Sequence, residues 1–148
     1  MAYINDALAA GDLEFARVLV DRLKQHTVGT LGATHPYTLE AYAVDAYIAY
    51  LERDEGRATA VSLHVARLRH EQGDLRARQD VLRAAATWNL IDDPRTALPL
   101  GRELLAVWEQ SATQGVPDST DDQARRQAET RLRSLARYPH PADTPASA

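Results

Sequence analysis

The chain has 148 residues, with 17 Lys and Arg against 21 Asp and Glu, a formal net charge of −4 and no cysteine. That length suits one domain with a continuous core, and a composition of 45% hydrophobic and 26% charged residues excludes a disordered chain. A pI near 5.7 gives no general attraction to nucleic acid or anionic membrane, and the missing cysteines exclude disulfides, thiol catalysis and thiolate metal sites.

The first segment, MAYINDALAAGD, has no basic region ahead of an apolar run, so no secretory leader is expected. No window approaches eighteen consecutive apolar residues, and the expected location is the cytoplasm. A short helix over Tyr3–Ala10 stops at Ala10-Gly11-Asp12. Ala16, Val20, Leu23 and Thr27 then share one helical face, with Leu13 and Leu19 beside them, in a helix ending near Val28. Gly29 and Gly32 form a broad break. The next helix, Pro36–Arg53, carries the stripe Leu39, Ala43, Ala46, Tyr47 and Tyr50. A tight break at Asp54-Glu55-Gly56 leads to Val61, Val65 and Leu68. Beyond Gly73-Asp74, a helix over Arg76–Leu90 places Val81, Ala84, Ala85 and Trp88 together. The tight break Asp92-Asp93-Pro94 precedes Ala97, Gly101, Leu104 and Trp108, and a broad break at Gly115 and Pro117 precedes Ala124, Ala128, Leu132 and Leu135. No stretch alternates with period two for long enough to make a strand. The expected fold class is all-α.

Tight and broad breaks alternate, as they do in stacked helical hairpins. Glycine supplies the left-handed cap after a helix, and Asp, Ser, Thr or Pro opens the next. Gly32, Gly73 and Gly115 lie 41 and 42 positions apart, with the tight breaks between them. A period in this range marks a helical repeat array, because one hairpin cannot bury both its faces. The final PHPADTPASA, residues 138–148 with the preceding tyrosine, is expected to be a flexible tail.

The stretch LGATHPYTL, Leu31 to Leu39, belongs between two hairpins: Thr34 or His35 can cap the following helix, and Pro36 suits its first turn. It resembles the leucine-glycine-x-x-histidine-proline-x-threonine-leucine box of tetratricopeptide repeats of the kinesin-light-chain-like kind, whose repeats have a similar length. GDLEFA, Gly11 to Ala16, resembles the inter-helix turn of such a hairpin, with a glycine five places before an alanine. Asp92-Asp93-Pro94 to Ala97 keeps the spacing without the glycine, and Glu55-Gly56 with Ala60-Val61 keeps it loosely. The resemblance covers roughly residues 3 to 110, and Ser119–Arg137 resembles the helix that closes such arrays. It implies an α-α superhelix of about three antiparallel hairpins plus that capping helix, one domain over residues 1–137. The box does not recur at Gly73 or Gly115, and the first hairpin is short, so the array is degenerate or its front depends on a neighbour.

Nothing in the pattern points to catalysis, a cofactor or a metal. Five histidines stand at 26, 35, 64, 70 and 140, and His64 and His70 are six apart, not the i, i+4 pair of a helical zinc site. His35 has a structural place in the box, and His64 is expected to pack at a helix contact. No glycine cluster follows a strand, and no serine sits in a nucleophile elbow. Asp92-Asp93 and Asp121-Asp122 fall at helix starts, where they complement the dipole. Arg125, Arg126, Arg131, Arg133 and Arg137 form a basic strip on the last helix, but it reads as a solvated outer face, and nucleic acid is not an expected partner.

The resemblance implies that the first helices of the hairpins, Tyr3–Ala10, Pro36–Arg53 and Arg76–Leu90, line a concave groove. Residues there that the apolar stripes do not require are Asn5, Tyr42, Asp45, Glu52, Gln79, Arg83 and Asn89. They are the candidate partner-binding residues. Asn5, Arg83 and Asn89 are similar in kind to side chains that hold a ligand carboxylate in chaperone-binding family members, but the ordered basic set of those members is not present. Tyr47 and Tyr50 are expected in the core and Tyr42 on the surface. The expected function is a non-enzymatic protein-interaction module with a peptide or protein partner. The alternative is an accessory regulatory domain that self-associates as a homodimer or docks to a transcription regulator or kinase.

Overall fold

The computed structural model describes residues 1–112 and 119–137, so the break at Gly115 and Pro117 and the tail from residue 138 lie outside the described residues. Among the described residues the chain is all-α, with seven helices and no strand. They are α1 (Ala2–Ala9), α2 (Leu13–Leu31), α3 (Pro36–Leu51), α4 (Glu55–Glu71), α5 (Ala77–Trp88), α6 (Pro94–Ala112) and α7 (Ser119–Arg137). Each helix packs on the next in sequence, and α4 also packs on α6. Among the described residues no helix is long and apolar enough to cross a membrane.

The turns follow one local design. Between α1 and α2, Gly11 adopts φ +73, Asp12 donates its N–H to the Ala7 carbonyl, and the Asp12 carboxylate accepts from the Phe15 N–H at 3.1 Å. Between α3 and α4 the same bonds recur 42 residues later: Asp54 N–H to the Ala49 carbonyl, and Arg57 N–H to the Asp54 carboxylate at 3.1 Å. Each is a helix stop closed by a left-handed residue and a helix start capped by an aspartate. The alanine four places after each aspartate, Ala16 or Ala58, is buried where the two helices meet. Ala97, four after Asp93, is buried in the same way at the start of α6.

This register corrects two expected breaks. The left-handed residue of the second turn is Arg53, at φ 61, and Gly56 lies inside α4, where a Cβ would sit 3.2 Å from Thr96 Cγ2. Gly29 is likewise inside α2, which runs on to Leu31 and is closed by Gly32 at φ +96. The tight turn therefore tolerates a side chain in the left-handed region, and searching for glycine alone misplaces it.

Two apolar clusters fill the interior. Ile4, Ala7, Ala16, Val20 and Ile48 join α1, α2 and α3. The larger cluster is organised around Trp88, which is fully buried and donates its indole N–H to the Ala97 carbonyl at 2.7 Å. Gly101 lies flat against that indole: a Cβ there would meet Trp88 Cζ2 at 2.5 Å and Leu132 Cδ1 at 2.8 Å. The sequence stripes of α2, α5, α6 and α7 all face these clusters. The stripe of α3 does not. Leu39 and Ala46 are buried, but Tyr47 and Tyr50 are 53% and 46% exposed, against the expectation that they fill the core.

Polar contacts also join elements two apart in the chain. Gln72 donates to the Thr34 carbonyl at 2.5 Å, and Arg76 pairs with Glu40 at 3.4 Å. Arg67 pairs with Glu103 at 2.9 Å, linking α4 to α6. Arg78 pairs with Asp121 at 2.8 Å, and Arg131 donates to the Trp88 carbonyl at 2.6 Å, so both ends of α5 touch α7.

Two stability outcomes follow from the backbone. Arg53→Gly relieves a side chain in the left-handed region and should raise unfolding free energy by about 0.5–1 kcal/mol. Gly101→Val overpacks the Trp88 contact and should lower it by about 1–3 kcal/mol. Urea titrations followed by tryptophan fluorescence measure both; a neutral Gly101→Val would contradict the close approach.

Candidate functional site

The polar site with the most partners is buried. Asp45, in the middle of α3, has no exposed side-chain surface and is met by cations from both neighbouring helices. Arg17 and Lys24 reach it from α2, Lys24 Nζ at 2.5 Å, and Arg57 reaches it from α4 at 3.1 Å. Arg17 and Lys24 are seven apart, two helical turns, so they share the face of α2 that meets α3. Arg17 continues to Glu52, and Asp21 closes the network beside Arg17 and Lys24.

Burial alone would push the Asp45 carboxyl up, but hydrogen bonds from Arg17, Arg57 and Lys24 overcome it and hold the group down at about 2. Burial also works against the Arg17 proton; hydrogen bonds to Glu52 and Asp45 outweigh it, and the guanidinium is raised. A second buried carboxylate, Asp80 on α5, accepts from Arg69 Nη1 at 2.9 and 3.1 Å. There burial is the larger effect and pushes the Asp80 carboxyl up from its ordinary value, against the pull of Arg69.

These positions sort the candidate residues. Asp45 is not a groove residue: its charge is consumed inside the fold, and no partner can reach it. Tyr42 is half-buried on the same side of α3, with Lys24 Nζ 4.9 Å from its ring centroid and the His64 ring at 5.5 Å, so it is a packing residue rather than an exposed aromatic. His64 sits at the α3–α4 contact, its pKa lowered by burial and then by Arg67. His35 caps α3, its Nδ1 accepting from the Tyr37 N–H at 3.1 Å. Glu52 is exposed but held by Arg17. Asn5, Gln79, Arg83 and Asn89 are exposed, on α1, α5 and the end of α5.

Tyr47 and Tyr50 are the surface residues that sequence reasoning placed inside. Glu40, Ala43, Tyr47 and Tyr50 fall at i, i+3, i+7 and i+10 along one side of α3. On α5 the exposed row is Gln79, Arg83 and Ala86, with Leu90 just past its end. The Glu40–Arg76 pair ties the beginnings of the two rows together. Tyr47 lies seven residues past Glu40 and Arg83 seven past Arg76, each about 10 Å along its helix. Arg83 approaches another charge at 4.0 Å from Asp80, and its side chain is 62% exposed. Tyrosine and arginine are the side chains that most often anchor a partner. Among the described residues no three His, Asp or Glu converge in a way that could hold a metal ion. Compared with known proteins, the chain matches no family model, no curated protein and no solved structure.

The Asp45 cluster sets an acid limit. Its folded value of about 2 lies below the ordinary 3.8, so its stabilisation is complete above 3.8 and is lost as pH falls toward about 2. Asp45→Asn should lower stability at neutral pH by about 2–3 kcal/mol, less than a fully buried broken pair because its cations are partly exposed. The variant should also lose less stability than wild type between pH 4 and pH 2, roughly the window that the two values bracket. Urea midpoints against pH measure both; parallel curves for the two proteins would contradict the assignment.

Proposed function

We propose that the chain is a tetratricopeptide-like array whose work is to hold a peptide or protein segment, without catalysis, across the exposed rows of α3 and α5. The observation that carries this reading is the Glu40–Arg76 ion pair, which joins the start of the α3 row, with its two exposed tyrosines, to the start of the α5 row, with its exposed arginine. The turn repeated after 42 residues supports the array, as do the Arg78–Asp121 and Arg131–Trp88 contacts, which align α7 with α5. An array of this kind presents its first helices side by side and leaves their outward rows for a ligand.

The chemistry of the rows suits a segment with an apolar or aromatic residue for Tyr47 and Tyr50. Such anchors give most of the energy of an interface, and the polar residues around them, Gln79 and Asn89, set orientation.

The test is capture from native lysate by the tagged chain, followed by affinity measurement on the captured partner. A Tyr47→Ala, Tyr50→Ala, Arg83→Glu variant with unchanged circular dichroism should bind at least about tenfold more weakly. Arg133→Glu, on the exposed face of α7, should bind as wild type does. Equal binding by the groove variant would move the site elsewhere.

A further inference from the structure

The outward face of α2 has a pattern that the groove does not use. Glu14, Phe15, Val18 and Arg22 are all exposed and lie on one side of the helix, with Phe15 at 50% and Val18 at 44%. The other charges of α2's middle turns, Arg17, Asp21 and Lys24, are engaged in the Asp45 network. Glu14 and Arg22 are different: among the described residues neither takes part in an ion pair, and both are exposed on a helix that packs on α1 and α3.

We infer that this face binds a second copy of the chain, with the two α2 helices antiparallel across a two-fold axis at Val18. Glu14 lies four residues before Val18 and Arg22 four after, about 6 Å along the helix in either direction. A two-fold axis through Val18 therefore sets Glu14 of each copy against Arg22 of the other, twice. The charge pattern is complementary to itself only in this antiparallel arrangement; a parallel pairing would set like charges together. Val18 packs on its own symmetry mate at the centre. Phe15 lies beside Glu14 and meets the stem and guanidinium of the opposing Arg22, an apolar and cation–π contact in one. Gly29, two turns past Arg22, has no side chain, and the space where its Cβ would sit is open. The face lies on α2 and the Tyr47 row on α3, so the dimer contact uses none of the residues proposed to hold a partner.

Sedimentation velocity across a concentration series at low salt tests the inference. Wild type should show a reversible monomer–dimer equilibrium that weakens as salt is added, because two of its contacts are charge pairs. Glu14→Arg alone and Arg22→Glu alone each create two like-charge contacts and should weaken dimerisation by about tenfold or more. The combined Glu14→Arg, Arg22→Glu chain restores opposite charges and should return to near the wild-type constant. Val18→Asp should be monomeric, with unchanged helicity by circular dichroism. A chain monomeric at every concentration overturns the proposal. So does a combined variant no better than the single ones, or a dimer indifferent to Val18→Asp.

Discussion

A carboxylate with no exposed surface must find its counter-charges within the fold, and Asp45 finds them on both sides of α3. An unpaired buried charge costs several kcal/mol, so α2 and α4 can dock on α3 only where Arg17, Lys24 and Arg57 all arrive. Apolar faces slide past one another at small cost, but this cluster does not. Its contribution is register as much as stability, since a hydrophobic replacement could pack as well without specifying one alignment. Fixing Asp45 inward also fixes the rest of α3. Thr38, Ala41 and Ala49 go in with it, and the row of Glu40, Ala43, Tyr47 and Tyr50 is left facing out.

The second constraint is the turn. Gly11-Asp12 and Arg53-Asp54 close one helix and open the next with the same set of hydrogen bonds, and a buried alanine follows each at the helix crossing. A small residue at that crossing lets the backbones approach, and the aspartate cap stops the chain from continuing as one long helix. With those two features kept, the residue in the left-handed position can vary from glycine to arginine. The cost is about 1 kcal/mol, small enough for the rest of the hairpin to absorb. The turn can therefore vary in sequence while its geometry persists.

How much was legible follows from the same physics. Helix positions were readable because Asp and Pro at starts and glycine at stops act locally. The faces of α2, α5 and α6 were readable because each buries one stripe. The face of α3 was not. It is buried on more than one side by α2 and α4, so Ile48, Ala46 and Tyr47 all satisfy a helical period and the stripe alone cannot choose among them. An acidic residue between Val44 and Ala46 looked like a surface position, because its three partners lie 12 to 28 residues away and come from two other helices. The usable signal was the pair Arg17 and Lys24, seven apart on a helix whose other inward residues, Ala16, Val20 and Thr27, carry no charge. Among the seven groove candidates, the four on α1 and α5 and at its end are exposed; those on α3 were displaced by the Asp45 cluster or engaged in it.

What the molecule offers a partner depends on whether α3 and α5 run side by side beyond the Glu40–Arg76 contact. The absence of cysteine makes this directly measurable, since spin labels can be attached at introduced cysteines without competing sites. Distances would be taken between labels at 43 and 79, which leave the Glu40–Arg76 pair intact, and separately between labels at 47 and 83, by pulsed electron paramagnetic resonance. The account predicts two narrow distributions with similar short means. A mean at 47 and 83 far longer than at 43 and 79 would show the helices splaying apart, and the shared tyrosine–arginine surface would not exist.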